Sequence, residues 1–295
     1  MSPLQQVSFI DVPLRDAAAW ACALDQMPVP VLSATLDAID ELSRNEDAVD
    51  AHLLAETVSD DPLMVLKILR HVASIRSARS ATDAETVTAA LILMGIPPFF
   101  RVFANQPAVE TRLAPNPPAL AGLQGVLRRA HRAAGFALGF AIHRMDHDAA
   151  VIHEAALLHD FAELLLWSQA PGLALEISRC QGASPSLRSA DVQRDVLNVT
   201  LSDLQQALMK AWRLPELLVR ISDDRASPSP QVRNVQLAIR VARHSASGWD
   251  NPALPDDIAE LSELLNLSKP HVHQLLQELD TPSGLPLAHA ALPCL

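Results

Sequence analysis

The stretch His153-Glu154-Ala155-Ala156-Leu157-Leu158-His159-Asp160-Phe161-Ala162-Glu163-Leu164 decides the fold. Its apolar residues recur at helical spacing, and the surrounding segment, Ala149 to Ser168, reads as one helix apolar enough to lie at the centre of a protein. The chain ahead of it, Ala119 to His143, reads as a second long helix, joined by the polar turn Arg144 to Asp148. Five of the eleven histidines, His131, His143, His147, His153 and His159, fall within these two helices and their turn. Imidazole and carboxylate suit manganese, iron or zinc, so one helix supplying His131 and the other the adjacent His159–Asp160 pair can hold an ion between them. The same residues also read without metal. His131 and His143 then line helix surfaces, His147 sits in a loop, and His159 with Asp160 forms a buried contact whose hydrogen bond offsets the desolvation of both groups.

Working outward, apolar positions keep three- and four-residue spacing almost everywhere, and alternating runs bounded by turns are hard to find, so the fold class is all-α. Pro107, Pro115, Pro117 and Pro118 break the pattern between Gln106 and Pro118, and Ser227 to Pro230 breaks it again. These breaks divide the chain into an N-terminal extension (1–23), an N-terminal helical lobe (24–105), a Pro-rich linker (106–118), a second helical lobe (119–226), C-terminal helices (227–280) and a mobile tail (281–295). A single helix is expected over Asp191 to Arg213, and Pro171 with Gly172 is expected to end the helix before it.

Composition removes several classes of function. The 295 residues are 49% apolar and 19% charged, which suits a chain with one large core or two modest ones. No run approaches a bilayer span, and Met1 to Pro13 lacks the basic and apolar regions of an export signal, so a cytoplasmic protein is expected. Cys22, Cys180 and Cys294 are far apart and odd in number, which argues against both a disulfide framework and a zinc site. A net charge of −11 argues against a protein devoted to covering phosphates. The Ile258 to His273 segment has the rhythm of a helix-turn-helix. However, Asp250 to Asp280 holds seven acids against Lys269 alone, a net charge of −6, so DNA is not the expected partner. The arginines Arg128, Arg129 and Arg132 form the one notable basic cluster. They read either as a solvated helix face or as a site for a phosphate-bearing ligand or a partner's carboxylates.

The string Leu157-Leu158-His159-Asp160, with His131 on the preceding helix, resembles the core of the HD phosphohydrolase superfamily. More closely, the chain resembles the HDOD domain, the HD-related output domain of bacterial signalling proteins. The matching motifs are Met27-Pro28-Val29-Pro30, Asp60-Asp61-Pro62-Leu63 through Leu69-Arg70 to Ala73-Ser74, Met94-Gly95, and Trp212-Arg213-Leu214-Pro215. They run in family order from about Leu24 to Asp224, with the family's helical continuation to about Leu279. The resemblance implies two packed helical lobes of HDOD type with a helical C-terminal extension.

The departures bear on function. The resemblance marks His131, His159 and Asp160 as vestigial metal-site positions. Leu201 stands where relatives place a further histidine, Asp223-Asp224-Arg225 where they place a histidine pair, and Ile239 where the superfamily has its last aspartate. Phe161-Ala162 follows the His–Asp pair in place of glycine. Three candidate ligands are too few to hold an ion with an open position. Asp223 and Asp224 either replace lost ligands or sit in solvent. The expected function is therefore that of a non-catalytic regulatory module without a cofactor, acting on a signalling protein partner or a nucleotide second messenger. The alternatives are a metal-dependent phosphohydrolase and, behind it, a DNA-binding regulator.

Overall fold

The computed structural model describes residues 8–75, 84–184, 187–223 and 229–281, and among them every regular element is a helix. The first part comprises α1 (Ala17–Gln26), α2 (Ser33–Ser43), α3 (Ala51–Val58), α4 (Pro62–Ile75), α5 (Val87–Met94), α6 (Ile96–Phe103) and α7 (Val109–Leu113). The centre comprises α8 (Pro117–Arg144), α9 (Ala149–Leu157), α10 (Phe161–Gln169), α11 (Pro171–Ala183), α12 (Ser189–Leu197), α13 (Leu201–Ala211) and α14 (Glu216–Ile221). The C-terminal part is α15 (Pro230–His244), α16 (Leu254–Leu265) and α17 (Lys269–Leu279).

The long α8 is the axis. The Asn116 side chain accepts from Ala119 N–H, Pro117 opens the helix where its missing N–H costs nothing, and Met145 closes it in the left-handed conformation. Two of its glycines let neighbours approach closely. A Cβ at Gly122 would lie 2.4 Å from the ring of Trp167 on α10, and one at Gly139 would lie 2.5 Å from Leu279 on α17. The helix α15 packs against both α8 and α9, so these three form the heart of a single apolar cluster that runs through both lobes.

The Asp–Pro and Trp-x-Leu-Pro motifs turn out to be joints. The buried Asp61 accepts N–H from Leu63 and Met64, capping α4, while its second oxygen accepts from Leu32. Trp212 stacks on Phe161, donates Nε1–H to Asp25, and lies under the guanidinium of Arg70, so it links α1, α4 and α10.

Four expectations change. The helix expected over Ala149 to Ser168 is broken at residues 158–160. Asp160 is a strong helix-capping residue type, yet it makes no side-chain cap, because guanidinium groups draw its carboxylate away. The helix expected over Asp191 to Arg213 is also two, broken where Asn198 turns left-handed and Thr200 caps α13 through Asp203 N–H. Pro171 starts α11 rather than only ending α10, as a proline at the first helical position does. The segment expected as a Pro-rich linker carries α7, whose Val109 and Leu113 are buried, and a parallel bridge from Ala108 to Val31. Its Arg112 donates to Ser168 O, Ser8 O and Gln169 Oε1, and these anchors hold the segment in place. The N-terminal extension likewise contributes core: Trp20 is fully buried and donates to Leu197 O. The tail from residue 282 lies outside the described residues. Among those described, no helix is long and apolar enough to cross a membrane.

Candidate functional site

The break between α9 and α10 presents His159 and Asp160 side by side at the floor of a cavity of about 520 Å³, also lined by Arg129, Glu163, Gln205 and Arg243. Both residues are buried, and His159 Nδ1 donates to Asp160 Oδ1 at 3.1 Å. The same oxygen accepts from Arg243 Nη2 of α15 at 2.8 Å, and Oδ2 accepts from Arg129 Nε of α8 at 2.8 Å. Arg129 extends its fork to Glu163 at 2.6 Å. Asp160, itself buried, is thus the hub of two ion contacts tying α8, α10 and α15 together. Burial alone would raise its carboxyl, but Arg243, His159 and Arg129 together hold it well below the usual carboxylate range. Burial raises Glu163, with Asp160 adding repulsion against the pull of Arg129.

His131 is elsewhere. It is exposed, and its Nε2 donates to the Asp60 carbonyl at 2.6 Å, in a separate pocket of about 270 Å³ with His153 and Gly135. The reason is helical geometry: positions two apart on α8 point some 200° from each other, so with Arg129 on Asp160, His131 faces the other way. The expected trio of His131, His159 and Asp160 is therefore not brought together. Among the described residues no group of three or more His, Cys, Asp or Glu is placed to hold a metal ion. The donor set does not fit one either, since both oxygens of Asp160 already face guanidinium groups that repel a divalent cation. Leu201 lines the cavity as an apolar wall and Ile239 is in the core. Asp223 follows α14, whereas Asp224 lies outside the described residues.

The arginine cluster also needs correction. Arg128 is exposed, but Arg129 belongs to the Asp160 hub. Arg132 forks onto both oxygens of Asp280 at 2.7 and 2.9 Å and donates to Ala242 O and Ser245 Oγ, pinning α17 against α8 and α15. Arg129 and Arg132 are committed to different partners, so the three do not make one surface. Sequence reading missed Arg243, 83 residues from Asp160, because nothing local marks a long-range ion pair. It also missed Glu154, whose burial pushes it up to about 8 and whose Oε1 accepts Val87 N–H at the start of α5.

A helical two-lobed bundle with an adjacent His–Asp pair at a helix break defines an HD-related protein. The sequence model of the HDOD domain matches residues 29–228, and the chain belongs to that family. The structure resembles the MmoQ response regulator of Methylococcus capsulatus at 20% identity and a TM-score of 0.64, covering 84% of this chain and 98% of that one. It also resembles a virulence factor of Campylobacter jejuni at 15% identity and a TM-score of 0.66, covering 89% and 94%. At these identities the likeness speaks for the fold. Comparison with curated proteins gives no match.

Proposed function

We propose that this HDOD protein is a non-catalytic bacterial regulatory module, working in the cytoplasm without a cofactor, whose HD cleft recognises a ligand or partner instead of hydrolysing one. One observation carries the reading: the carboxylate of Asp160 is saturated by Arg129, Arg243 and His159. A metal-activated water needs an ion held by several ligands with one position open. Here the aspartate of the pair serves as an internal counter-ion, and its histidine neighbour is committed to it. The cleft wall instead offers the amide of Gln205 and the hydroxyl of Ser202, beside a half-exposed Arg243. Such a donor-rich wall suits acceptor groups on a signalling protein or a nucleotide second messenger.

The test is an assay of purified protein against nucleoside monophosphates, cyclic dinucleotides and a generic phosphodiester, with manganese, iron, zinc or nickel added in turn. No turnover above background is expected. Hydrolysis that depends on metal and disappears in Asp160→Asn would overturn the reading.

A further inference from the structure

A second cavity, away from the HD cleft, has a chemistry of its own. It measures about 550 Å³ and lies between the α1–α2 connection, α4 and the end of α6. The helix α4 is otherwise a core helix, yet Lys67, Arg70, His71 and Ser74 stand at i, i+3, i+4 and i+7 and so share the face that lines this cavity. Phe103, Met27 and Pro28 supply an apolar wall. No carboxylate lines it, in a protein whose net charge is −11.

We propose that this cavity binds a small organic acid, with its carboxylate on Lys67 Nζ and its apolar body against Phe103, Met27 and Pro28. The ammonium of Lys67 donates to Val29 O at 2.7 Å and to Gln106 Oε1, both neutral acceptors. An ammonium has three N–H donors, so one is left for a ligand. A largely desolvated ammonium without a paired carboxylate is an unbalanced charge, and an anion entering the cavity supplies the missing counter-ion. Burial pulls Lys67 down to about 8, with Asp61 opposing and Arg70 assisting, which is the signature of a cation short of compensation that still carries its proton at pH 7.

The charge of the ligand follows from the neighbours. Arg70 is already paired with Asp25 at 2.7 Å and lies over the Trp212 ring. Burial lowers His71, which stands edge-on to Phe103 and is neutral at pH 7. Lys67 remains as the lining cation with no ion pair, attracted only through space by Asp61, which matches a monoanion such as a carboxylate rather than a phosphate dianion. The volume lies within the range of small-molecule sites. This inference does not depend on how the HD cleft is read.

The probe is benzoate, titrated calorimetrically into the full chain at pH 7 beside two controls: benzyl alcohol, which keeps the ring and loses the charge, and inorganic phosphate at equal ionic strength. Benzoate is expected to bind saturably and about tenfold more tightly than either control, a gap of about 1.4 kcal/mol. Lys67→Met should remove that advantage. Benzoate that fails to saturate, that benzyl alcohol or phosphate matches, or that binds Lys67→Met equally well would overturn the proposal. If Lys67→Met does not fold, the three-way titration of the wild-type protein decides alone. An acylation experiment adds a second reading on the same protein, since Lys67, Lys210 and Lys269 are its only lysines. Benzoate should slow acylation at Lys67 and leave the other two unchanged, whereas equal rates at all three with and without benzoate would count against the site.

Discussion

Glu154 offers a quantitative test of the packing between the lobes. Its carboxyl is buried, Oε1 accepts Val87 N–H, and Oε2 has no hydrogen-bond partner. Burial moves it from 4.5 to about 8. An acid whose folded value is raised binds its proton more tightly in the folded chain. Its contribution is therefore fully present below the unfolded value and is lost progressively as pH rises through the folded one. Between the two values the unfolded chain has given up a proton that the folded chain retains. Stability there falls by about 1.4 kcal/mol for each step of one in pH, and by about 5 kcal/mol across the whole window. Glu154→Gln keeps the acceptor for Val87 and removes the titration. Urea unfolding followed by helical circular dichroism at pH 5, 6, 7 and 8 should show the variant gaining on the wild type steadily, by about 3 kcal/mol at pH 7 relative to the acid limit. Because both proteins share every other titrating group, the difference isolates this one. Stability curves that run parallel from pH 5 to 8 would refute the reasoning.

Other expectations follow from the same contacts. Asp160→Ala leaves Arg129 with Glu163 alone and leaves the half-exposed Arg243 without this partner, and should cost about 1–3 kcal/mol, read from the urea midpoint. In the wild type the depressed carboxyl of Asp160 contributes stability above its ordinary value, and that contribution should disappear as pH falls below about 4. Arg132→Glu faces Asp280 with a like charge and should destabilise by about 2 kcal/mol, with faster amide exchange in α17. Gly122→Ala collides with the rigid ring of Trp167 and should destabilise by about 1–3 kcal/mol. Gly135→Ala meets open space and should stabilise by up to about 1 kcal/mol, and thermal melts of the pair show whether the sign divides as stated.

The helices were legible because their signals are local. The apolar spacing from Ala119 through Phe140 marks α8, although Pro117 and Pro118, read as the end of a linker, form its first turn. The breaks were less legible, although Asn198 and the Thr200-x-x-Asp203 pattern are a stop and a start signal lying in plain view. The break at residues 158–160 carries a start signal too, Asp160-x-x-Glu163 ahead of an apolar run, but the Asp160 side chain does not cap and turns instead to two arginines from other helices. For the candidate site, sequence supplied His159 and Asp160 and their mutual contact. It grouped them with His131 because spacing along the chain cannot say which side of α8 a residue takes, whereas the two-residue offset from Arg129 settles the matter once that pairing is known. The cavity at Lys67 was hidden for a related reason: its basic stripe lies on a helix whose apolar content reads as core.

Calorimetric titration of manganese into the purified protein at pH 7 tests most directly whether the Asp160 hub excludes a metal. With both carboxylate oxygens committed to Arg129, Arg243 and His159, no saturable binding near one ion per chain is expected, and the melting temperature should not rise with added manganese. Binding of one ion per chain that raises the melting temperature and is lost in Asp160→Asn would contradict it.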